Sequence, residues 1–599
     1  MDLQTLPDLL TNLAAAHQKP VLLRYKRGGA YRDLSTREVE RQVRLATLGL
    51  RDLGIGRGDR VAILSENRPE WTIADLAIQC LGAVNVPIYA TLLAEQIQFI
   101  LADCAAQAVV CSTVQQLAKL EAIRPHLPRL RSVILLDPVP TKGTISWSEL
   151  ATAGSRLDAS HPQRFDQLCG AVQPQDLASI IYTSGTTGVP KGVMLTHANF
   201  VSNVRATVAV IPISEDDVAL SFLPLSHVFE RMVEYAYLSQ GATIAFAESI
   251  DTLPQNLVEV RPTIVAAVPR VFEKFFARVM EAARGGSPLK RQILHWAIGV
   301  GRKRAPYLLE ARPLPGWLRL QAALADRLVF AKVRARTGGR LRFFISGSAP
   351  LAPDLARFFW GAGLPVYEGY GLTETSPVIT VNRPGKVRLG TVGAVVPGVE
   401  VKIAADGEIL TRGPNLMQGY YQNEEANKQV FQDGWFCTGD IGQVDAEGFL
   451  TITDRKKDII KTSGGKMIAP QPLENALKAS RYIANAVVVG ERRNFIAALL
   501  VPNFENLARY CQEAGLGALP LPEQMAHPKV QALYGKEVAR VTEGRARFEQ
   551  IKTFRLLERD FSLEEGELTP TLKVRRNVVE KKYHALIQSI YPEVDPTPR

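Results

Sequence analysis

A run of glycines and hydroxyl side chains ahead of a lysine is the segment of the sequence best suited to chemistry. Positions 179–192 read Ser-Ile-Ile-Tyr-Thr-Ser-Gly-Thr-Thr-Gly-Val-Pro-Lys-Gly. We expect an apolar strand to lead into a loop whose glycines, N–H groups and hydroxyls cradle a polyphosphate, with Lys191 adding a compact positive charge. Pro190 stands where a Walker loop has glycine, so the loop is of another kind. A flexible surface loop rich in Ser, Thr and Gly is the alternative.

Further segments place polar groups where a nucleotide would need them. Gly347 and Ser348 follow a predicted strand, so they are expected at the carboxyl edge of a sheet. Tyr370 lies between two glycines and is suited to stack on a base. Thr373 is suited to donate to a phosphate, and Glu374 to hold Mg²⁺, which prefers one or two carboxylates plus phosphate oxygens. A tight glycine turn with an exposed tyrosine is the alternative.

Six segments, taken in order along the chain, resemble the motifs of the adenylate-forming enzymes. This family includes acyl-CoA synthetases, luciferases and peptide-synthetase adenylation domains. The matching segments are Tyr182–Gly192, Phe344–Pro350, Tyr367–Thr375, Thr438–Asp440, Asp454–Asp458 and Thr569–Arg575. The resemblance implies a nucleotide site formed by Thr183, Ser184, Gly185, Thr186, Thr187, Gly188, Gly347, Ser348, Ala349, Glu368, Gly369, Tyr370, Gly371, Asp440 and Arg455.

Several residues late in the chain are interpreted through the order of these motifs. The carboxylate of Asp440 can accept from both hydroxyls of a ribose, although aspartate is also a common turn residue. By resemblance, Arg455 bonds the same ribose or the phosphate, Lys457 is the hinge, and the Ser463–Gly465 segment lies near a thiol channel. Lys573 is predicted to be catalytic, because an ammonium stabilises the charge that builds on a phosphoryl group under attack. A solvated lysine in a basic run is its alternative.

By resemblance, the segment Pro224–Glu230 lines the acyl side of the site. His227 is expected to touch the substrate carboxylate or the α-phosphate, and a satisfied structural histidine is the alternative. Ser226 and His227 are adjacent, and neighbours in a strand point apart, so we expect no nucleophile–base pair. The sequence has no G-x-S-x-G or H-E-x-x-H motif, which excludes the commonest hydrolase types.

Within the family, the run 433–442 and its continuation at 454–461 resemble the signature of bacterial-type long-chain fatty acid–CoA ligases. Two residues depart from the pattern. Cys437 stands where histidine is expected, and Phe272 takes a position where a related enzyme has a tryptophan gate to its acyl tunnel. The resemblance implies ATP and CoA as co-substrates and Mg²⁺ as cofactor. It assigns catalytic roles to Lys573, Lys191, Thr373, Glu374 and His227.

Two other functions remain open from the sequence. The first is the same chemistry with acyl carrier protein as acceptor, since a basic surface would dock an acidic protein. The second is a non-catalytic lipid-binding or transport protein that kept the fold. The joint presence of Lys191, Glu374, Asp440, Arg455 and Lys573 favours an enzyme.

The elements that must position these residues alternate between helices and strands. Helical spacing over 35–53 and 70–81 and apolar strands at 60–65, 84–89, 108–111 and 132–136 predict an α/β fold with mainly parallel sheets. Short strands with glycine turns at 399–403, 407–411 and 448–452 predict a β-barrel-like subdomain over about 385–453. We therefore expect an N-terminal domain over 1–453, a hinge at 454–458 and a small mobile α+β lid domain over 459–599.

Composition sets limits on the class of protein. Of 599 residues, 46% are hydrophobic and 22% charged, which is typical of a large globular enzyme and not of a disordered or coiled-coil protein. Six cysteines without a C-x-x-C pair indicate a reducing compartment, and we expect the cytoplasm. The N-terminus lacks a secretory pattern. The uncharged run 76–94 contains Pro87 and is predicted to be a helix and a strand, not a membrane span.

The positive charge is concentrated in one segment. Residues 284–342 contain fourteen Lys and Arg against Glu310 and Asp326, a local net charge of +12 in a chain whose total is +11. Trp296, Tyr307 and Trp317 are interleaved with these charges. Such a segment suits CoA phosphates or the inner face of a membrane as a peripheral contact, and a solvated helical face is the alternative.

Overall fold

The structure is a computed structural model that describes residues 3–183, 189–284, 287–562, 564–569 and 573–591. The chain divides into two compact units. The first comprises Met1–Lys402, Leu410–Thr438 and Asp445–Leu450, and the second comprises Ile403–Ile409, Gly439–Val444 and Thr451–Arg599.

One large sheet of the first unit has nine strands among the described residues. Its central six strands are parallel, and antiparallel strands close both edges. In spatial order the strands are Ala394–Val395, Val378–Val381, Val366–Gly371, Phe343–Ser346, Ile264–Ala267, Val218–Ser221, Thr243–Phe246, Leu23–Arg27 and Ala30–Leu34.

A second sheet of the first unit has eight strands in the described part of the chain. Six are parallel, and all of them except the two-residue strand Ile145–Ser146 have apolar runs that are buried on both faces, as expected for strands covered by helices. In spatial order the strands are Gly419–Tyr420, Lys191–Thr196, Leu177–Thr183, Val84–Ile88, Arg60–Leu64, Ala108–Cys111, Ser132–Leu135 and Ile145–Ser146.

Helices surround these sheets. The α-helices of the first unit are Pro7–Ala16, Thr36–Asp52, Pro69–Cys80, Ala94–Asp103, Val114–Ile123, Trp147–Ser160, Arg164–Gly170, His197–Val208, Val228–Ser239, Leu253–Val260, Pro269–Arg284, Pro288–Leu309, Gly316–Ala325, Ala331–Ala335, Pro353–Gly361 and Glu424–Val430. Short 3-10 turns lie at Arg124–His126 and Thr373–Thr375, and a π-helical turn lies at Asp326–Phe330.

A third sheet combines a ten-residue strand, Trp435–Val444, with shorter strands. Its strands are Glu400–Ile403, Glu408–Arg412, Trp435–Val444, Phe431–Gln432 and Leu450–Arg455, the last paired with Trp435–Val444.

The second unit has a three-stranded sheet of Ile483–Val489, Ala497–Pro502 and Thr553–Leu556, and a two-stranded hairpin of Ile460–Lys461 and Met467–Ile468. Alternate residues of the three-stranded sheet pack into two separate apolar clusters, which explains why its middle strand is apolar throughout. Its helices are Pro470–Lys478, Phe504–Glu513, Leu521–Ala526, Pro528–Thr542, Arg576–Lys582 and His584–Gln588, with a 3-10 turn at Arg547–Glu549.

The predicted α/β class and its mainly parallel sheets are confirmed. The helix predicted over 35–53 is Thr36–Asp52, and it begins there because Ser35 and Glu38 form a reciprocal capping box. The run 76–94 is the end of one helix and the strand Val84–Ile88, as predicted. Within the described ranges, no helix combines the length and apolar character that crossing a bilayer requires.

Candidate active site

The predicted phosphate loop connects two paired antiparallel strands. Thr183 ends the first strand opposite Lys191, which begins the second, and the Thr183 hydroxyl donates to the Lys191 carbonyl at 3.5 Å. A Cβ at Gly192 would lie 2.8 Å from Ile180 Cγ2, so glycine lets the hairpin close. The predicted ligands Ser184, Gly185, Thr186, Thr187 and Gly188 lie outside the described residues.

Tyr420 joins two of the predicted catalytic residues. The Lys191 Nζ lies 4.9 Å from the centroid of the Tyr420 ring, and the Tyr420 hydroxyl donates to Glu374 Oε1 at 2.9 Å. Burial, together with the charge of Glu374, raises the pKa of Tyr420, so its hydroxyl stays protonated and remains a donor. The structure therefore brings Lys191 and Glu374 to the two sides of one aromatic side chain.

The backbone around Tyr420 fixes this arrangement. The strand Gly419–Tyr420 pairs with the strand of Lys191, and the Tyr421 N–H donates to the Gly192 carbonyl at 2.7 Å. The Met417 N–H donates to the carbonyl of Glu374 at 2.9 Å. The sequence reasoning missed Tyr420, because a Gly-Tyr pair carries no charge and no spacing that would mark it.

The turn that holds Thr373 and Glu374 is tightly packed. A Cβ at Gly371 would lie 1.7 Å from the Pro377 carbonyl oxygen, so the two backbone segments can approach only through glycine. The Thr375 hydroxyl accepts from the Leu372 N–H at 3.0 Å and donates to the Pro377 carbonyl. The Asn415 amide donates to the Thr375 carbonyl at 2.8 Å. The turn is thus held from both sides.

Tyr370 lies in the strand Val366–Gly371, where it is buried, which overturns the alternative of an exposed tyrosine in a turn. In the same strand, Gly369 pairs with Val381 of the neighbouring strand. Glu368 is also buried. Burial raises its pKa to about 8, the Leu351 N–H lies 3.4 Å from its Oε2, and its Oε1 has no partner among the described residues. A buried polar atom without a partner is costly, and a ligand would satisfy it.

The strand Phe343–Ser346 leads directly into the predicted residues Gly347, Ser348 and Ala349. A Cβ at Gly347 would lie 3.0 Å from the ring of Phe229. Ser348 adopts a left-handed backbone with φ of 69°, which costs a non-glycine residue about 1–2 kcal/mol and is typical of functional loops. Ala349 is exposed. These residues lie at the carboxyl end of a parallel strand, as predicted.

His227 is the N-cap of the helix Val228–Ser239. Its Nδ1 accepts from the Phe229 N–H at 3.1 Å. The argument that placed Ser226 and His227 in a strand is therefore wrong in its premise, because the chain enters a helix at this point. In a neutral ring that uses Nδ1 as acceptor, the proton is on Nε2.

Phe272 is packed among other aromatic rings. It is fully buried, and its ring centroid lies 5.1 Å from that of Phe344 and 5.2 Å from that of Phe359, both in edge-to-face geometry. This packing gives the residue a role in the core, and its role as a gate stays a prediction.

In the second unit, Asp440, Arg455 and Lys573 form one electrostatic cluster. Arg455 Nε lies 3.5 Å from Asp440 Oδ1. Burial and, to a smaller extent, the Arg455 cation lower the pKa of Lys573 to about 8, while the Asp440 carboxylate opposes the shift. Thr569 bonds to the backbone of Lys573: its N–H donates to the Lys573 carbonyl at 2.8 Å and its Oγ1 accepts from the Lys573 N–H at 3.0 Å.

The predicted hinge segment is anchored by its first residue. Asp454 is buried, which raises its pKa to about 6, and it accepts from the N–H groups of Arg455 at 2.6 Å and Gln471 at 2.9 Å. Lys456 forms ion pairs with Asp406 at 2.6 Å and Glu408 at 2.7 Å. Lys457 directly follows these anchored residues.

The predicted thiol-channel residues Ser463, Gly464 and Gly465 form the exposed turn of the hairpin at 460–468. The Ser463 hydroxyl hydrogen-bonds with Asn494 Oδ1 at 2.6 Å. A Cβ at Gly464 would have no heavy atom within 4 Å, so the turn leaves open space beside it.

Few side chains in the described part of the chain are placed to bind a metal ion. The described part of the chain contains no group of three or more His, Cys, Asp and Glu placed to hold a metal. A single carboxylate such as Glu374 fits Mg²⁺ only where phosphate oxygens complete the coordination, which is how this ion commonly binds to nucleotide enzymes.

Comparison with known proteins covers nearly the whole chain. The family model described as AMP-binding enzyme matches residues 11–421, and the model described as AMP-binding enzyme C-terminal domain matches residues 457–595. The chain is 40% identical over 569 residues to the long-chain-fatty-acid–CoA ligase FadD15 of Mycobacterium bovis, covering 94% of this chain and 93% of that protein. It is 34% identical to the long-chain-fatty-acid–CoA ligase ACSBG1 of Bos taurus, covering 95% and 82%.

Solved structures share the fold. The crystal structure of the anthranilate CoA ligase AuaEII in complex with anthranoyl-AMP superposes with a TM-score of 0.74 at 21% identity, covering 98% of both chains. The α/β architecture described above is therefore the fold of these proteins.

Proposed function

The chain belongs to the AMP-binding enzyme family, and from this premise we propose that it is an AMP-forming long-chain fatty acid–CoA ligase. In the first step the fatty acid carboxylate attacks the α-phosphorus of ATP, giving acyl-AMP and pyrophosphate. In the second step the thiol of CoA attacks the acyl carbon, giving acyl-CoA and AMP. The observation that carries the proposal is the convergence of Lys191 and Glu374 on Tyr420, in a chain whose relatives are named as such ligases.

In the first step, Lys191 and the hairpin loop bind the phosphates of ATP, and Thr373 donates to the α-phosphate. Glu374 would hold Mg²⁺, which neutralises phosphate charge when it is bound. Lys573 supplies the ammonium that stabilises charge on the phosphoryl oxygens as the carboxylate attacks. Tyr370 and Glu368 supply the base pocket, and Asp440 and Arg455 bind the ribose. His227 is assigned to the acyl carboxylate.

Between the two steps, residues 459–599 turn about Lys457 as a hinge, relative to a domain of residues 1–453. One small site must hold pyrophosphate first and a thiol afterwards, and a hinge that exchanges two faces meets both needs. The movement takes Lys573 away and presents the Ser463–Gly465 turn. The anchoring of Asp454 and Lys456 supports a pivot at the next residue.

Pyrophosphate release from ATP, measured with carboxylic acids from short to very long chain, tests the proposal. We expect release to depend on the acid and to be fastest with a long chain. Absence of release and of ATP–pyrophosphate exchange with every acid would contradict it and would restore the non-catalytic lipid carrier.

A second candidate acceptor is acyl carrier protein. The +12 segment at 284–342 supports it, since this acceptor is acidic. Thioester formation measured separately with CoA and with acyl carrier protein distinguishes the two functions. We expect CoA to be used, and exclusive use of the protein acceptor would reassign the second step.

A further inference from the structure

We propose that the helices Pro288–Leu309 and Gly316–Ala325 form a docking face for the surface of an anionic lipid bilayer. This lipid-docking face is marked first by a stripe of apolar side chains on the second helix and the π-helical turn that follows it. The exposed fractions of these residues are 57% for Trp317, 76% for Leu320, 50% for Leu324 and 38% for Leu328.

The stripe is continuous along one side of the helix. At 3.6 residues per turn, Trp317, Leu320 and Leu324 fall within an arc of about 60°. The buried residues of the same helix, Leu318, Ala322 and Ala325, occupy the other side. The helix thus packs on the protein with small and apolar residues while its largest apolar side chains face outward. Exposed apolar residues scattered singly need no explanation, but an aligned row does.

The first helix extends this face. Leu289 and Trp296 are exposed and lie seven residues apart, on one line that continues to Lys303. The Lys303 Nζ lies 5.9 Å from the centroid of the Trp317 ring, which joins this line to the stripe of the second helix. Tryptophan beside lysine is typical of segments that lie in the interface of a bilayer.

Basic side chains lie on the same helices as the apolar stripe and on the helical turns that follow. Arg302, Lys303, Arg319, Arg327 and Lys332 are exposed, and none has a carboxylate within 4.0 Å among the described residues. By contrast, Arg334 is paired with Asp326 at 2.6 Å, and Arg342 with Asp217 at 2.6 Å. Exposed cations without a carboxylate partner therefore accompany the apolar stripe, and such a combination attracts anionic headgroups.

This combination favours a bilayer over other occupants. Two copies of the face would bring like charges together, which opposes self-association. An acidic protein would satisfy the charges, but a row of exposed leucines is better matched by acyl chains, since leucine is under-represented among the residues that carry protein–protein binding energy. The long-chain acids of the proposed function dissolve in bilayers, so docking would place the enzyme at its substrate. Binding itself needs no turnover and can be tested independently of that function.

Co-sedimentation of the full chain with vesicles tests the proposal. We expect binding to vesicles of phosphatidylcholine mixed with phosphatidylglycerol, and much weaker binding to phosphatidylcholine alone. Leu320→Ser with Leu324→Ser should lower the partition coefficient by roughly tenfold or more, because two exposed apolar side chains are lost. Arg319→Glu with Arg327→Glu should lower it by a similar factor and remove the preference for anionic lipid.

Matched double variants elsewhere on the surface are the controls. Val114→Ser with Val258→Ser removes two exposed apolar side chains, and Arg37→Glu with Arg41→Glu reverses two exposed charges on another helix. Both controls should bind vesicles like the wild type. The proposal is overturned if the wild type does not bind anionic vesicles, or if the 320/324 variant binds as well as its control. It is also overturned if the charge reversal at 319 and 327 slows transfer to acyl carrier protein while leaving vesicle binding intact, or if the stripe variant changes only the oligomeric state.

Discussion

Tyr420 contacts two oppositely charged groups with two different parts of its side chain. Its ring faces the ammonium of Lys191, while its hydroxyl donates to the carboxylate of Glu374. The ring attracts the cation and the hydroxyl orients the anion, so this residue sets the spacing between the two. In the proposed reaction it is a positioning residue.

Replacing Tyr420 by phenylalanine separates these two contributions. The ring stays over Lys191, but Glu374 loses a hydrogen bond to a charged group, worth about 1.5–3 kcal/mol. We expect kcat for acyl-adenylate formation to fall roughly tenfold to a hundredfold, with a higher Mg²⁺ requirement and little change in the KM for fatty acid. Tyr421→Phe is the matched control, because its hydroxyl contacts only Gln422 at 3.2 Å among the described residues. An unchanged Mg²⁺ requirement in Tyr420→Phe would contradict the assignment.

The pKa of Lys573 predicts a pH dependence. Since the ammonium is the form that stabilises transferred charge, and its pKa is lowered to about 8, kcat/KM for acyl-adenylate formation should fall as the pH rises through about 8. Arg455→Gln removes a cation that lowers this pKa, so the falling limb should move to higher pH, whatever happens to the rate itself. The measurement is pyrophosphate release across the pH range for both proteins. A falling limb at the same pH in both would contradict the electrostatic effect of Arg455 on Lys573.

At the scale of elements, the turn from Gly371 to Pro377 holds Glu374 by close backbone contact. In Gly371→Ala the added carbon would lie 1.7 Å from the Pro377 carbonyl oxygen, so the two segments must move apart. We expect a destabilisation of about 1–3 kcal/mol, seen as a lower Tm, together with weaker nucleotide binding. Gly299→Ala is the control, because nothing lies within 4 Å of its added carbon and alanine favours a helix. Equal Tm values for the two variants would contradict the packing argument.

The helix Val228–Ser239 carries two buried carboxyls one turn apart. Glu230 and Glu234 each leave one carboxyl oxygen without a partner in the described part of the structure, and burial raises the pKa of each to about 8. Ser221 faces Glu230, and Thr72, Asp75 and Arg231 face Glu234.

Because these pKa values are higher in the folded chain than in the unfolded chain, their contribution to stability is complete below about pH 4.5 and is lost as the pH rises through about 8. Glu230→Gln with Glu234→Gln removes both titrating groups at constant shape. The Tm, measured between about pH 5 and 8, should therefore fall less steeply with rising pH in the variant than in the wild type. The same slope of Tm against pH in the two proteins would contradict the claim that these buried carboxyls are neutral.

For the whole molecule, the sequence predicts the class of fold and most elements well. Buried parallel strands appear as short apolar runs between helical segments, as at Ala108–Cys111, and the capping box at Ser35 marks a helix start. Contacts between residues that are distant in the sequence are harder to predict. Tyr420 reaches Lys191 through a strand pairing between distant parts of the chain, and no local pattern encodes that pairing.

Local sequence context also misleads where the same residues fit either a strand or the start of a helix. Ser226 and His227 follow apolar residues that resemble a strand, but the histidine begins a helix, because its ring nitrogen satisfies a free N–H at the helix start. A gating role for Phe272, which comes from resemblance alone, stays a prediction, and its ring packs against those of Phe344 and Phe359.

The most direct test measures the two half-reactions separately in Lys573→Ala. The account predicts that this variant loses fatty-acid-dependent ATP–pyrophosphate exchange by several orders of magnitude, while it still forms acyl-CoA from supplied acyl-adenylate and CoA at close to the wild-type rate. Lys581→Ala, on the helix Arg576–Lys582, is the control and should retain both activities. Full exchange activity in Lys573→Ala, or equal loss of both half-reactions, would contradict the central claim.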